Sequence, residues 1–191
     1  IPHTDAFAQA SVGKKIGTTQ MATADELEKE RRAGIDPRTP EIYRRYQERL
    51  RQANAVDFGD LMLETVRLFE QKPEVLAKYR ERFAHIMVDE YQDTNQVQYR
   101  LMRLLGDHGE RNICVVGDED QSIYSFRGAD IRNILDFERD FEGAKTVRLE
   151  RNYRSTETIL KAASAVVEAN SERLGKTLWT DSGLGEPIEL R

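Results

Sequence analysis

Carboxylates gather at two points where a short apolar run breaks into polar residues: Asp89-Glu90, followed by Tyr91-Gln92-Asp93, and Asp118-Glu119-Asp120, followed by Gln121. A third apolar run, 146–149, breaks into Glu150-Arg151-Asn152-Tyr153-Arg154-Ser155. Each run reads as a buried strand that ends where a crevice ligand would sit, and the polar residues that follow suit nucleotide chemistry. Transfer of a phosphoryl group to water needs a divalent cation to neutralise oxygen charge and a group that orients or deprotonates the water. Adjacent carboxylates can divide that work, because successive side chains leave an extended backbone in different directions. The alternative makes Asp89 and Glu90 solvated strand-end residues or caps for a helix starting near Asn95; for Asp93 capping serves as well as chemistry.

Three further groups extend this chemistry. Gln121 offers both a donor and an acceptor, so it can touch a terminal phosphate or its attacking water. Tyr124, Phe126 and Arg127 put two aromatic faces and a cation within four positions, a composition suited to single-stranded nucleic acid, where base stacking contributes ~1–3 kcal/mol per base. Aromatic residues near a strand end also serve as core. Arg154 can grip a phosphate with a forked pair of donors, or pair with Glu157 one helical turn away.

The elements that must position these residues alternate. Strands over 86–89, 113–117 and 146–149 enclose two helices: one from Asn95 carrying Val97, Leu101, Leu104 and Leu105, the other from about Asp130 carrying Ile131, Ile134 and Leu135. Strand, helix, strand, helix, strand implies a parallel sheet with right-handed crossovers. Upstream the pattern is helical: 24–33, then a break at Gly34-Ile35-Asp36-Pro37, a stripe of Tyr43, Tyr46 and Leu50, and a clearer stripe of Phe58, Leu61, Met62, Thr65, Leu68 and Phe69 capped by Asp57. Pro73 fits the first turn of another short helix. Downstream, Ser155 caps a helix carrying Ile159, Ala163, Val166 and Val167, and the turn 183–187 leads into a final short strand.

A formal net charge of −5 with 33% charged residues excludes a wholly basic nucleic-acid binder. It leaves room for a local cationic groove, because screening confines the interaction to about 8 Å at physiological salt. The single cysteine, Cys114, lies inside an apolar run and reads as a buried thiol, so no disulfide framework is possible within one chain. No apolar stretch approaches the ~20 residues of a membrane span, and cytoplasmic placement is the default expectation. His3, His85 and His108 lack metal-ligand spacing.

The three motifs resemble those of the UvrD/Rep/PcrA family of superfamily 1 DNA helicases, in family order, from about Tyr43 to the C-terminus. Asp89-Glu90-Tyr91-Gln92-Asp93 is similar to the family's Walker B motif, 117–129 to its motif III, and Asn152-Tyr153-Arg154-Ser155 to its motif IV. The resemblance implies ATP and Mg²⁺ as cofactors, with Asp89 holding the metal mainly through water and Glu90 as catalytic base. It further implies that Gln121 couples the ATP state to the DNA groove, that Arg154 reaches the γ-phosphate across a cleft, and that Tyr153 stacks on adenine. Tyr124, Phe126 and Arg127 would meet single-stranded DNA.

The implied fold is α/β: a partial RecA-like parallel sheet, preceded by a helical insert segment and followed by the start of a second RecA-like domain. Residues 1–55 would be the later part of the insert, 56–144 the distal half of the first motor domain, and 145–191 the opening of the second. A phosphate-holding Gly-x-x-x-x-Gly-Lys-Ser/Thr loop is not found: around Val12-Gly13-Lys14-Lys15, Ala8 replaces the first glycine and Lys15 the hydroxyl residue. The expectation is therefore an interior fragment of a larger enzyme, inactive alone, with the rest of the parent as its partner; the resemblance implies that this parent translocates on single-stranded DNA and unwinds duplex junctions 3′ to 5′ in repair or replication. Two other readings stand beside it: a non-catalytic DNA- or protein-binding module, and a nuclease using Asp89, Glu90, Asp118, Glu119 and Asp120 as a metal cluster.

Overall fold

The computed structural model describes residues 38–109, 112–170 and 175–189. The helix expected over 24–33, the break at Gly34 and the Val12–Lys15 region lie outside the described residues. Three helices come first: α1 (Thr39–Gln52), α2 (Phe58–Gln71) and α3 (Pro73–Arg82). Asp57 caps α2 as its sequence position predicts. Its carboxylate accepts the Asp60 N–H at 3.0 Å while the Asp60 carboxylate accepts the Asp57 N–H at 3.2 Å, so two orphan donors are satisfied reciprocally. Pro73 occupies the first turn of α3, where its missing N–H costs nothing.

The apolar stripe of α2 is displaced from the expected one. Leu63, Val66 and Phe69 are buried, whereas Phe58 is 92% exposed and Leu61 and Leu68 also face outward. Leu63, Val66 and Phe69 follow a spacing of three and form the face that packs against α3 and α4 (Gln96–Gly106). Phe58 and Leu61 lie on a second stripe that the described residues leave uncovered.

The α/β part is a two-stranded parallel sheet of β1 (Ile86–Val88) and β2 (Ile113–Val115), joined by α4. Asn95 begins α4 with a capping box, its side chain accepting from Val97 and Gln98 N–H at 3.0 Å each. On one face of the sheet Val88, Ile113 and Val115 pack against a core of Tyr91, Met102 and Phe141. On the other, the register partners Met87 and Cys114 stand exposed, Met87 at 79%. The expectation of a buried Cys114 thiol is therefore overturned: alternate strand residues point to opposite faces, and among the described residues only the other face is covered.

Two strand expectations also fail. Residues 146–149 form no ladder, and Val147 and Leu149 are exposed, because among the described residues no neighbouring strand meets their backbone. An isolated bridge between Arg151 and Trp179 takes their place, with the Trp179 N–H on the Glu150 carbonyl at 3.0 Å. The strand expected after the 183–187 turn is not formed over 186–189, and residues 190–191 lie outside the described residues.

The helix expected from Asp130 is two short pieces, α5 (Arg132–Leu135) and α6 (Phe137–Asp140), interrupted at Asp136. Phe137 and Phe141 stack at 4.6 Å, and Phe137 meets Tyr91 edge-on at 5.6 Å, so this bend turns aromatic residues into the core. The last helix, α7 (Glu157–Val167), is preceded by Thr156, not Ser155, at the N-cap. Of the apolar stripe expected there, Ile159 and Val166 are exposed, and Leu160 is the buried residue.

Candidate functional site

The parallel pairing of β1 and β2 brings the two acidic strand ends side by side. The ladder continues past the strands: the Val116 N–H donates to the Val88 carbonyl at 2.8 Å and the Tyr91 N–H to the Val116 carbonyl at 2.9 Å. The chain after β1 then turns sharply, with Glu90 in the left-handed region (φ 50, ψ 42) and a 3₁₀ turn at Tyr91–Asp93. Left-handed backbone is uncommon for a residue with a Cβ and persists only where neighbours hold it. Here the Glu90 N–H donates to Asp89 Oδ1 at 2.9 Å, and the Glu90 carbonyl accepts the Asp93 N–H at 2.9 Å. Both Asp89 and Glu90 are exposed.

After β2 the chain enters a second 3₁₀ turn, Glu119–Gln121, capped by Asp118, whose Oδ1 accepts the Asp120 N–H at 3.0 Å. Gln121 Nε2 donates to Asp118 Oδ2 at 2.6 Å. Between the two loops lies Gln92, 1% exposed, which sequence reasoning passed over. Its Nε2 donates to Glu90 Oε2 at 2.8 Å, and its Oε1 accepts the Asp118 N–H at 3.0 Å. The structure thus brings Glu90 and Gln121 into one hydrogen-bonded chain through Gln92 and Asp118. No periodicity marks such a residue, because its partner lies 26 positions away on another strand end.

Thr94 anchors the first loop from behind. Its carbonyl accepts the Asp130 N–H and Asn133 Nδ2, each at 3.0 Å, while Gln96 Nε2 donates to Asp130 Oδ2 at 2.7 Å. The Arg132 guanidinium beside Asp130 holds that carboxyl below the usual carboxylate range, offset in part by burial and reinforced by Gln96.

A cavity of about 400 Å³ opens beside Asp89, Glu90 and Asp93, walled by Met62 of α2, Ile86 and Val88 of β1, and Leu101, Met102 and Leu105 of α4. Asp93 Oδ1 is buried there without a hydrogen-bond partner among the described residues. Asp89 keeps Oδ2 free of hydrogen bonds among the described residues. One or two carboxylate oxygens suit Mg²⁺, which takes its other ligands from phosphate and water. Among the described residues no group of three or more His, Cys, Asp or Glu side chains could hold a metal by itself. The acidic run 118–120 is instead occupied by a cation: Lys176 Nζ pairs with Asp118 and lies 3.4 Å from Asp120 and 4.0 Å from Glu119. That arrangement counts against the nuclease reading. Lys176, too, was not singled out from sequence, being 58 residues from its partner.

Tyr124, Phe126 and Arg127 do come together. The two rings lie 6.0 Å apart, and the Arg127 guanidinium sits 4.7 Å from one and 5.4 Å from the other. Phe126 is 63% exposed, which a core aromatic would not be. Tyr153 and Arg154 stand on a separate turn, where Asn152 Oδ1 accepts the N–H groups of Arg154 (2.9 Å) and Ser155 (2.7 Å). Tyr153 is 77% exposed, with the Arg151 guanidinium 4.7 Å from its ring. Glu157 pairs with Lys161 at 2.6 Å, and no Arg154–Glu157 pair is formed among the described residues. No hydrogen bond, ion pair or ring contact joins Tyr153 or Arg154 to Asp89, Glu90 or Gln121 among the described residues.

Comparison with known proteins identifies the family. The model of the UvrD/REP helicase N-terminal domain matches residues 7–142. Over 156 residues the chain is 54% identical to the ATP-dependent DNA helicase UvrD1 of Mycobacterium leprae, covering 77% of this chain and 20% of that protein. It is 55% identical over 150 residues to DNA helicase II of Escherichia coli, covering 78% and 21%, and 48% identical over 170 residues to the ATP-dependent DNA helicase PcrA of Staphylococcus epidermidis, covering 89% and 23%. The chain spans about a fifth of the length of these relatives. Its motifs, the matched domain and half-identical relatives together make it a member of the UvrD/REP helicase family.

Proposed function

We propose that this chain is part of an ATP-dependent DNA helicase and carries the hydrolytic side of its ATP site together with part of its DNA track. The observation that carries the reading is the alignment of Asp89-Glu90 and Asp118–Gln121 at the carboxyl ends of two parallel strands, where open α/β sheets receive ligands. In this reading residues 56–144 are the distal half of a RecA-like motor domain, 1–55 belong to a helical insert and 145–191 open a second RecA-like domain. Magnesium, bound with the nucleotide, supplies charge neutralisation at the phosphates.

The chain's own residues do the rest. Asp89 would hold the metal through its carboxylate. Glu90 accepts the proton of the attacking water, Gln121 orients that water, and Arg154 neutralises charge on the terminal phosphate when the second domain closes. Tyr153 provides a face for adenine. Tyr124 and Phe126 stack on bases of single-stranded DNA, and Arg127, close to both rings, contributes positive charge beside the strand. Repeated closure would drive 3′ to 5′ translocation and unwinding at duplex junctions, in the cytoplasm, during repair or replication. Among the described residues no helix is long and apolar enough to cross a membrane. The 191 residues contain no Gly-x-x-x-x-Gly-Lys-Ser/Thr run, so turnover is assigned to the longer protein.

The test is Glu90→Gln in the full gene product. Steady-state phosphate release with single-stranded DNA should fall steeply while a fluorescent ATP analogue still binds, because the amide keeps the shape but cannot take the proton. Undiminished turnover would remove Glu90 from the chemistry and overturn the reading.

A further inference from the structure

Glu90 and Gln121 sit on separate loops, each exposed, and each side chain has one hydrogen bond among the described residues: Glu90 to Gln92, Gln121 to Asp118. The remaining link, from Gln92 Oε1 to the Asp118 N–H, completes an unbroken path between them. We propose that Gln92 is a positioning residue for hydrolysis: its side-chain amide sets the Glu90 carboxylate and locks it to the loop that carries Gln121, so that base and phosphate-facing glutamine are held as one unit. This rests on the assignment of Glu90 as the base.

The amide is matched to the place by polarity as well as by size. Its Nε2 faces the Glu90 carboxylate at 2.8 Å and, more distantly, Asp93 Oδ2 at 3.4 Å. Rotating the amide by half a turn would set its oxygen against both carboxylates and its NH₂ against the Asp118 N–H, so only one orientation satisfies all groups. A hydrocarbon would fill the same space and make neither bond; a carboxylate would keep the acceptor toward Asp118 but place an oxygen where Glu90 needs a donor. Room for the amide comes from the neighbouring strand end: a Cβ on Gly117 would lie 2.7 Å from Gln92 Oε1.

Asp118 is braced independently of Gln92. Its Oδ1 accepts the Asp120 N–H and receives Lys176, and its Oδ2 receives Gln121. Its N–H is therefore a fixed reference point against which Gln92 sets Glu90. Burial of Gln92 keeps water from competing for either bond, which raises the cost of leaving them unmade.

Three variants of the full gene product test this: Gln92→Met, Gln92→Glu and Gln92→Met in a Glu90→Gln background. With single-stranded DNA present, Gln92→Met should lower kcat roughly 10- to 100-fold, the scale of a lost hydrogen bond to a charged group, with KM for ATP within about 3-fold. Gln92→Glu should fall further, since it reverses the polarity facing Glu90. In the Glu90→Gln background the Met substitution should cost little more, because no base remains to be positioned. Faster hydrogen exchange of the Asp118 amide in Gln92→Met would report the broken link without reference to activity. Normal kcat in Gln92→Met, an equal further loss in the Glu90→Gln background, or an unchanged Asp118 amide would overturn the proposal. Active Glu90→Gln accompanied by a faster Asp118 amide in Gln92→Met would instead sink the assignment of the base, leaving Gln92 a link between loops without a catalytic consequence.

Discussion

Gly117→Ala isolates how closely the two acidic loops approach. A Cβ at Gly117 would lie 2.7 Å from Gln92 Oε1, 2.8 Å from Ile134 Cδ1 and 3.2 Å from the Gln92 backbone nitrogen, all inside ordinary contact. Ile134 can yield by moving the end of a flexible chain. Gln92 cannot, because its amide is committed at both ends and its backbone belongs to the turn between Glu90 and Asp93. Overpacking of this kind costs ~1–3 kcal/mol. Displacing the amide adds about 1 kcal/mol for the bond to Asp118 and leaves a buried donor or acceptor unsatisfied. The expected loss is therefore roughly 2–4 kcal/mol, read as a lowered midpoint in urea unfolding of the chain with the slope unchanged. Gly106→Ala is the matched control. Its Cβ would come 2.9 Å from Ile113 Cδ1, again a movable side-chain end, and at this last residue of α4 alanine gains up to about 1 kcal/mol over glycine, so the change should be nearly neutral. A Gly117→Ala cost below about 0.5 kcal/mol, or one equal to that of Gly106→Ala, would refute the claim that Gln92 is locked.

Other residues give independent checks. Tyr91 is fully buried, and its hydroxyl has no hydrogen-bond partner among the described residues; burial also pushes its ionisation well above the ordinary phenol value. Tyr91→Phe should therefore leave stability unchanged or raise it by ~1 kcal/mol, and a loss of more than that in urea unfolding would show that the hydroxyl is satisfied in solution. Asp130 has its folded-state pKa lowered from 3.8, chiefly by Arg132, so its contribution is present above that value and is lost as pH falls through the lower folded value. The stability gap between wild type and Asp130→Asn should accordingly shrink between pH 6 and pH 3; a gap that stays constant would contradict the shift. Phe126→Ala in the full gene product should weaken single-stranded DNA binding by ~1–3 kcal/mol in an anisotropy titration at fixed salt while nucleotide binding is kept, whereas unchanged DNA affinity would reject the stacking role.

Short-range rules carried much of this chain into its sequence. Asp57 and Asn95 announce helix starts because their side chains reach amides two or three residues on, and Pro73 fits the first turn of α3 because its N–H is not needed there. The acidic strand ends were legible for a similar reason: an apolar run that breaks into carboxylates marks the end of a strand wherever its neighbours lie. Tertiary structure decided what depended on a distant partner. Among the described residues, 146–149 have strand-like sequence but no adjoining strand, and Cys114 sits in an apolar run yet faces out because only one side of its sheet is covered. Phe58 and Leu61 mimic a core stripe on α2, but the packing of α3 and α4 selects Leu63, Val66 and Phe69 instead. Gln92 and Lys176 acquire their meaning through Asp118, 26 and 58 residues away in the chain, and no local pattern encodes a hydrogen bond or an ion pair that exists only once two strand ends and a later loop have met.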